Sequence, residues 1–280
     1  SQAERRIAFA EGEDDRVLRA AQAMIEETTD KPILIGRPEV IAVRAERAGL
    51  KIRPGVDFEI VNPENDSRYK QYWQAYHKLM ERKGVTPDLA KAIMRTNTTA
   101  IGAIMVHQDH ADSMICGTFG QYLWHLNYVT QILGTKEHQP VGALSLMILE
   151  DGPLFIADTH VHTEPTPEQI AKTVIATARH VRRFGIEPNI ALCSHSEFGN
   201  LQCTTGRHMR EALEILDSEP RDFIYEGEMH IDSALTPDLR ARNFPHSRLE
   251  GPANALIFAI ADAASGVRNI LKTKGGGLEV

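Results

Sequence analysis

Short apolar runs alternate with stretches of helical periodicity along almost the whole chain, and this alternation constrains the fold more than any other feature. "RIAFA" (6–10), "PILIG" (32–36), "FEIV" (58–61) and "SMICG" (113–117) read as strands. Between them, residues 14–27 place Val17, Leu18, Ala21, Met24 and Ile25 on one helical face. Residues 38–48 and 68–83 predict further helices, the second with Trp73, Tyr76 and Leu79 facing inward. Thr86-Pro87-Asp88 caps another, with proline at the first helical position, and 121–133 is helical. The pattern resumes with "ALSLMIL" (143–149), "LFIAD" (154–158), "NIALC" (189–193), "FIY" (223–225) and "ALIFAI" (255–260). Thr166-Pro167-Glu168-Gln169 is a capping box that opens a long helix with Ile170, Val174, Ala178 and Val181 as its apolar stripe. Gly185 ends that helix, Pro188 lies beyond it, and 207–216 is helical. Strands and helices alternating in this way imply an α/β fold, with mainly parallel sheets flanked by helices.

The 280 residues suffice for two compact domains of roughly 140 residues each. A linker-like stretch, "GTKEHQPVG" (134–142), places the boundary so that subdomain I covers 1–136 and subdomain II 137–280. The net charge of −7, without a dense Lys/Arg cluster, argues against wrapping nucleic acid. No apolar run approaches the roughly 18 residues of a membrane span. Cys116, Cys193 and Cys203 form no C-x-x-C pair, which fits a reducing cytoplasm better than a disulfide or zinc framework. The first residues lead straight into a strand, and "GGGLEV" ends at the start of another, so a segment of a longer chain is expected.

Several polar stretches follow strands, where open parallel sheets bind ligands. In "ALCSHSEFGN" (191–200), Ser194, His195, Ser196 and Glu197 offer a nucleophile with its base, an anion-binding loop or a polar turn. A nucleophile elbow needs G-x-S-x-G, and Ser194 and Phe198 stand where the glycines would be. A loop that touches ligand is the favoured reading. His160 and His162 in "DTHVH" form an H-x-H pair of the kind that opens amidohydrolase metal sites; His195, His230 and Asp232 are possible further ligands, but more than half of the chain precedes the pair, and exposed loop histidines are expected. "EGEDD" (11–15) places four carboxylates where a helix begins; a metal site is conceivable there, but stabilisation of the helix N-terminus is the favoured reading. Strand alternation in "YEGEMHID" (225–232) would put Glu226, Glu228, His230 and Asp232 on one face, as a site contact or a solvated edge. "KGGG" (274–277) precedes no helix and is not a phosphate loop.

Taken in order, these segments resemble the phosphate acetyl/butyryltransferase family over nearly the whole chain. The stretches that carry the resemblance are "RRIAFAEGEDDRVLRAA", "ADSMICG", "LFIADTHVHTEPTPEQIA", "RRFGIEPNIALCSHSEFG", "EGEMHIDSAL" and "GPANALIF". "PILIGRPEVI", "GVDFEIVN", "IGAIMV", "SHSEFG" and "GEMHID" are more similar still to one branch, the C-terminal domain of long bacterial NADP-dependent malic enzymes. The resemblance implies two α/β subdomains with a cleft between them, as in isocitrate and isopropylmalate dehydrogenases, the first subdomain being completed by residues beyond 280.

Transferases of this family need cations and hydrogen-bond donors where phosphate and developing charge lie. Met80 stands at the position of the family's arginine in L-R-K-H-K-G, and Asn127 at that of the arginine in H-S-T-x-D-T-x-R-P. Gln121 and Tyr122 replace the Ser and Thr of the second motif, "AIADAAS" (259–265) replaces P-D-L-N-x-G-N, and N-D-L-S-R-G would lie beyond Val280. The resemblance therefore implies a non-catalytic domain that binds acetyl-CoA as an allosteric inhibitor of malate oxidation and aids oligomerisation. Ser194, His195, Ser196, His125, Asn127, Glu228 and Asp232 are its expected ligand contacts; no catalytic residue, metal ligand or cofactor is assigned to the domain itself. The parent enzyme would use NADP and Mg or Mn, carry its catalytic domain on the same chain, and form a dimer or larger. An active phosphate acetyltransferase and a purely structural assembly module are the alternatives.

Overall fold

The structure, a computed structural model, describes residues 4–135 and 141–280. Residues 136–140 of the linker-like stretch thus lie outside the described residues, which divide into two compact units at 135/136.

The first unit has a four-stranded parallel sheet in the order β3-β2-β1-β4. Its elements are β1 (Arg6–Phe9), α1 (Asp15–Glu27), β2 (Lys31–Ile35), α2 (Pro38–Arg47), β3 (Glu59–Val61), α3 (Tyr69–Met80), α4 (Pro87–Thr96), α5 (Thr98–His107), β4 (Ser113–Ile115) and α6 (Tyr122–Leu133). Strand alternation divides the apolar residues between two cores. Ala8, Ile33 and Ile35 pack under α3–α6, while Phe9 and Leu34 pack under α1 and α2. Burial on both faces explains why these strands read as unbroken apolar runs.

The predicted helix at 68–83 is shorter and turned. Helix α3 ends at Met80 and continues as one 3₁₀ turn, Glu81–Lys83, closed by Gly84 at φ +84°. Tyr72, Tyr76 and Met80 form its buried face, four residues apart, and Trp73 and Leu79 lie at the margin of that core. Trp73 instead offers its ring to the Lys91 ammonium at 5.2 Å, a contact that suits a half-buried aromatic.

The second unit has a six-stranded sheet in the order β10-β5-β6-β9-β7-β8. It comprises β5 (Leu144–Leu149), β6 (Gly152–Ala157), α7 (Pro167–Arg183), β7 (Asn189–Cys193), α8 (Thr204–Asp217), β8 (Ile224–Met229), α9 (Ile231–Leu235), α10 (Pro237–Asn243), β9 (Ala255–Phe258), α11 (Ala261–Thr273) and β10 (Leu278–Glu279). Strands β6, β9, β7 and β8 are parallel, and the β10-β5-β6 edge is antiparallel. The capping box of α7 forms as expected: Thr166 Oγ1 accepts from Gln169 N, and Gln169 Oε1 accepts from Thr166 N. The α7 and α8 face buries Phe155, Ile190, Leu192 and Ile257, and the opposite face buries Ala191, Cys193, Leu256 and Phe258. Arg240 is 3% exposed and donates to the carbonyls of Ser233, Ala234, Leu249 and Gly251. It thereby fixes the C-terminal end of α9, the helix that carries part of the site below.

Candidate functional site

The carboxyl ends of β7, β8 and β9 border an open pocket of about 490 Å³. Phe258, Ala259 and Ile260 form an apolar wall, and Ser194, His195, Thr205, His230 and Asp232 supply polar groups. That mixture, at the ends of parallel strands, is the usual composition of a small-molecule site.

The loop after β7 is built from local hydrogen bonds. Ser194 N donates to Met229 O, which prolongs the β7–β8 pairing, and Ser194 Oγ accepts from Ser196 N at 3.1 Å. Ser196 turns inward and is fully buried. Its hydroxyl donates to Glu228 Oε1 at 2.6 Å, and Leu201 N donates back to it. Phe198 adopts φ +46°, a left-handed conformation unfavourable to a bulky residue by about 1–2 kcal/mol. The bond from Phe198 N to Glu228 O and the ring of Phe244 at 4.3 Å hold it there. The nucleophile reading fails on this geometry. Ser196 is inaccessible with its proton committed to a carboxylate, and the His195 ring lies 4.0 Å from Cys203 Sγ rather than against a serine.

Glu228, an expected ligand contact, is fully buried and does not line the pocket. Its Oε1 also accepts from Gly199 N at 3.0 Å and from Arg210 Nη1 at 2.7 Å, while its Oε2 has no hydrogen-bond partner among the described residues. The expected common face of Glu226, Glu228, His230 and Asp232 does not form. Leu192 pairs with Gly227 but Cys193 pairs with Met229, so Glu228 is an extra residue in a bulge. The bulge resets the alternation. Glu228 meets Arg210 on α8, whereas Glu226 accepts from Arg248 N at 2.7 Å and from Arg248 Nη2. His230 and Asp232 have left the strand altogether: His230 is the N-cap of α9 and Asp232 lies in its first turn.

Cys203 caps α8, accepting from Gly206 N at 3.3 Å. The Thr205 hydroxyl, the Gly206 N–H and the Arg210 charge hold its thiol below the ordinary cysteine range. Sequence reasoning missed Cys203, Thr205 and Arg210. The signal was a loop of small polar residues entering a helix, read too late by three residues.

Among the described residues, His160 and His162 belong to no cluster of three or more metal-ligating side chains. Asp158 accepts from the backbone N–H groups of Ala143, His160, Val161 and His162, and from His162 Nδ1 at 2.8 Å. This carboxylate organises the loop after β6. The acidic turn at 11–15 does more than precede a helix. Asp14 caps α1, Glu13 takes the fork of Arg37, and Glu11, 6% exposed, accepts from Gly117 N with both oxygens.

His125 and Asn127 lie on α6 of the first unit. His125 Nε2 is 2.7 Å from the Phe119 carbonyl, which can only accept, so that nitrogen carries the hydrogen and Nδ1 accepts from the Thr99 hydroxyl at 2.7 Å. Both ring nitrogens are engaged within the fold. Asn127 is exposed and accepts from Gln131. A second pocket, of about 390 Å³, lies in this unit at the ends of β1 and β2. It is lined by Gly36, Arg37 and Arg95 among others. Arg37 is paired with Glu13, and Arg95 lies over the Tyr69 ring and donates to the Pro63 and Glu64 carbonyls.

The profile of the phosphate acetyl/butaryl transferase family matches residues 1–279. The chain belongs to that family. Among relatives, it is 48% identical over 279 residues to an NAD-dependent malic enzyme of Rhizobium meliloti (strain 1021), covering 99% of this chain and 36% of that protein. It is 46% identical over 269 residues to an NADP-dependent malic enzyme of Salmonella typhimurium, covering 96% of this chain and 35% of that one. The chain thus spans about a third of the length of these relatives. A phosphotransacetylase from Streptococcus pyogenes has the same fold, with a TM-score of 0.87 at 25% identity over 99% of this chain and 83% of that one. Met80, expected from the resemblance to replace a family arginine, is 4% exposed within the α3–α6 core.

Proposed function

We propose that this chain is the transferase-derived regulatory domain of a malic enzyme that decarboxylates malate to pyruvate and CO2. In this reading it binds acetyl-CoA or a related acyl-CoA without turning it over. The observation that carries the proposal is the match to malic enzymes over 96–99% of this chain but only about a third of theirs. Those relatives include one named for each nicotinamide coenzyme, so the similarity does not carry the expected preference for NADP. NADP and a divalent metal would belong to the catalytic part of the parent enzyme.

The pocket at the ends of β7–β9 supports the binding role. Its apolar wall suits the pantetheine and acyl portions of a thioester, and Ser194, His195 and Asp232 are among the residues that line it. Ser196 and Glu228 would act from beneath, by fixing the loop. The buried Met80 and the neutral Asn127 speak against transfer, because each lost cation removes a charge-assisted contact of about 1.5–3 kcal/mol. Inhibition requires that acetyl-CoA bind the two states of the enzyme with different affinity. The test is malate turnover by the intact parent protein against acetyl-CoA concentration. A saturable loss of rate with matching calorimetric binding is expected; no binding and no change in rate would remove the proposal.

The similarity to a phosphotransacetylase favours active acyl transfer as the second reading. Thioester formation from acetyl phosphate and CoA at ordinary enzymatic rates would establish it.

A further inference from the structure

At the mouth of the β7–β9 pocket, three side chains converge that the acyl-CoA reading does not use as a group. Glu197 comes from the loop after β7, and His230 and Asp232 come from the start of α9. One donor atom from each lies within 4.8 Å of the others, the one such group of three among the described residues. We propose that Glu197, His230 and Asp232 bind a divalent first-row transition ion of the zinc type.

The ring of His230 is oriented for this. Its Nε2 lies 2.9 Å from the His195 carbonyl oxygen. A carbonyl accepts only, so Nε2 carries the hydrogen, and Nδ1 faces Glu197 Oε2 at 3.6 Å. Metal-binding histidines are held in this manner, with the distal N–H anchored on a backbone carbonyl or a carboxylate. Glu197 is anchored in the same sense. Its Oε1 accepts from the Ser233 hydroxyl at 2.5 Å and from His230 N at 3.4 Å, which leaves Oε2 directed at His230. The Asp232 carboxylate takes the Ser233 N–H on Oδ1 and is exposed.

The distances fit a small ion. Donors about 2.0 Å from a tetrahedral zinc stand about 3.3 Å apart. The His230–Glu197 separation of 3.6 Å is already close to that, and a small rotation of the exposed Asp232 closes the rest. Two carboxylates and a neutral imidazole balance a divalent charge. The imidazole selects zinc, cobalt or nickel over magnesium and calcium, which prefer oxygen donors. Three protein ligands leave a fourth position, and His230 and Asp232 both line the pocket. The inference does not depend on acyl-CoA binding.

The test uses the 280-residue chain, freed of metal by a chelator and carrying no histidine tag. Calorimetry with Zn2+ is expected to give one equivalent bound, and Co2+ to give the visible absorption of a tetrahedral site. His230→Gln and Asp232→Asn should each weaken binding at least tenfold, with the far-UV circular dichroism unchanged. Excess Mg2+ should not compete. Asp232 is exposed, so its variant stays folded and informative even if the His230 variant does not. Absence of stoichiometric binding would overturn the inference. So would binding that survives Asp232→Asn, or that is lost instead on His160→Gln with His162→Gln.

Discussion

Ser196 donates its hydroxyl to Glu228 Oε1 across 2.6 Å, and neither side chain reaches solvent. This bond ties the loop after β7 to the bulge in β8, and so sets the floor on which Ser194 and His195 line the pocket. Ser196→Ala is expected to lower stability by about 1.5–3 kcal/mol, the range for a hydrogen bond to a charged group. Urea unfolding followed by circular dichroism checks this. Ser194→Ala, which removes only an acceptor for a neutral N–H, should cost about 0.5–1.5 kcal/mol. Equal costs would refute the assignment of Ser196 as the tie.

Thiol reactivity should rank the three cysteines. Burial pushes the Cys193 thiol up strongly, and burial with the Glu11 charge takes Cys116 up to about 11. Only Cys203 is held down. Iodoacetamide at mildly alkaline pH should therefore modify Cys203 first, and peptide mass mapping identifies the site. Acetyl-CoA, bound in the pocket beside His195 and Thr205, should slow that reaction. Unchanged alkylation at saturating acetyl-CoA would place the ligand elsewhere.

Placing the cation that the family resemblance expects at this position, by Met80→Arg, should fail. The position lies in the core with Tyr72, Tyr76 and Met94, where an unpaired guanidinium has no partner. A destabilisation of about 3–5 kcal/mol is expected, the scale of an uncompensated buried charge. Thioester formation from acetyl phosphate should stay at background. A stable variant with transferase activity would overturn both statements.

Acid sensitivity should depend in part on Asp14. Its hydrogen bonds to Arg16 hold the carboxyl at about 2, against about 3.9 in an unfolded chain. The native state therefore binds fewer protons than the unfolded one across that interval. This contribution to stability is complete above pH about 4 and is lost as the pH falls toward 2. Asp14→Asn keeps an equally good N-cap and should flatten the stability profile within that window alone. Unfolding midpoints measured from pH 6 to 2 would show it; a profile parallel to the wild type would refute it.

The strands and most helices were legible because burial on both faces writes continuous apolar runs, and helix caps have short signatures such as Thr166–Gln169. The turned face of α3 was less so, since Trp73 and Tyr72 are both large and aromatic, and only packing decides which goes in. Helices α9 to α11 escaped notice: α9 and α10 are short, and α11 mixes small and polar residues. Ser194, His195 and Asp232, singled out for their place after strands, line the pocket. Cys203 and Arg210 were not, because their partners are distant in sequence or lie on the next helix turn.

By itself the sequence determined the α/β class, the order of the strands and of the longer amphipathic helices, and the family, because periodicity and local motifs are properties of neighbouring residues. The tertiary structure decided which polar residues meet. One extra residue opposite Cys193 sends Glu226 to Arg248 and Glu228 to Arg210 and Ser196, and helix α9 carries His230 and Asp232 to Glu197. Such pairings depend on register and on long-range packing, and strand alternation alone had put all four of those residues on one face.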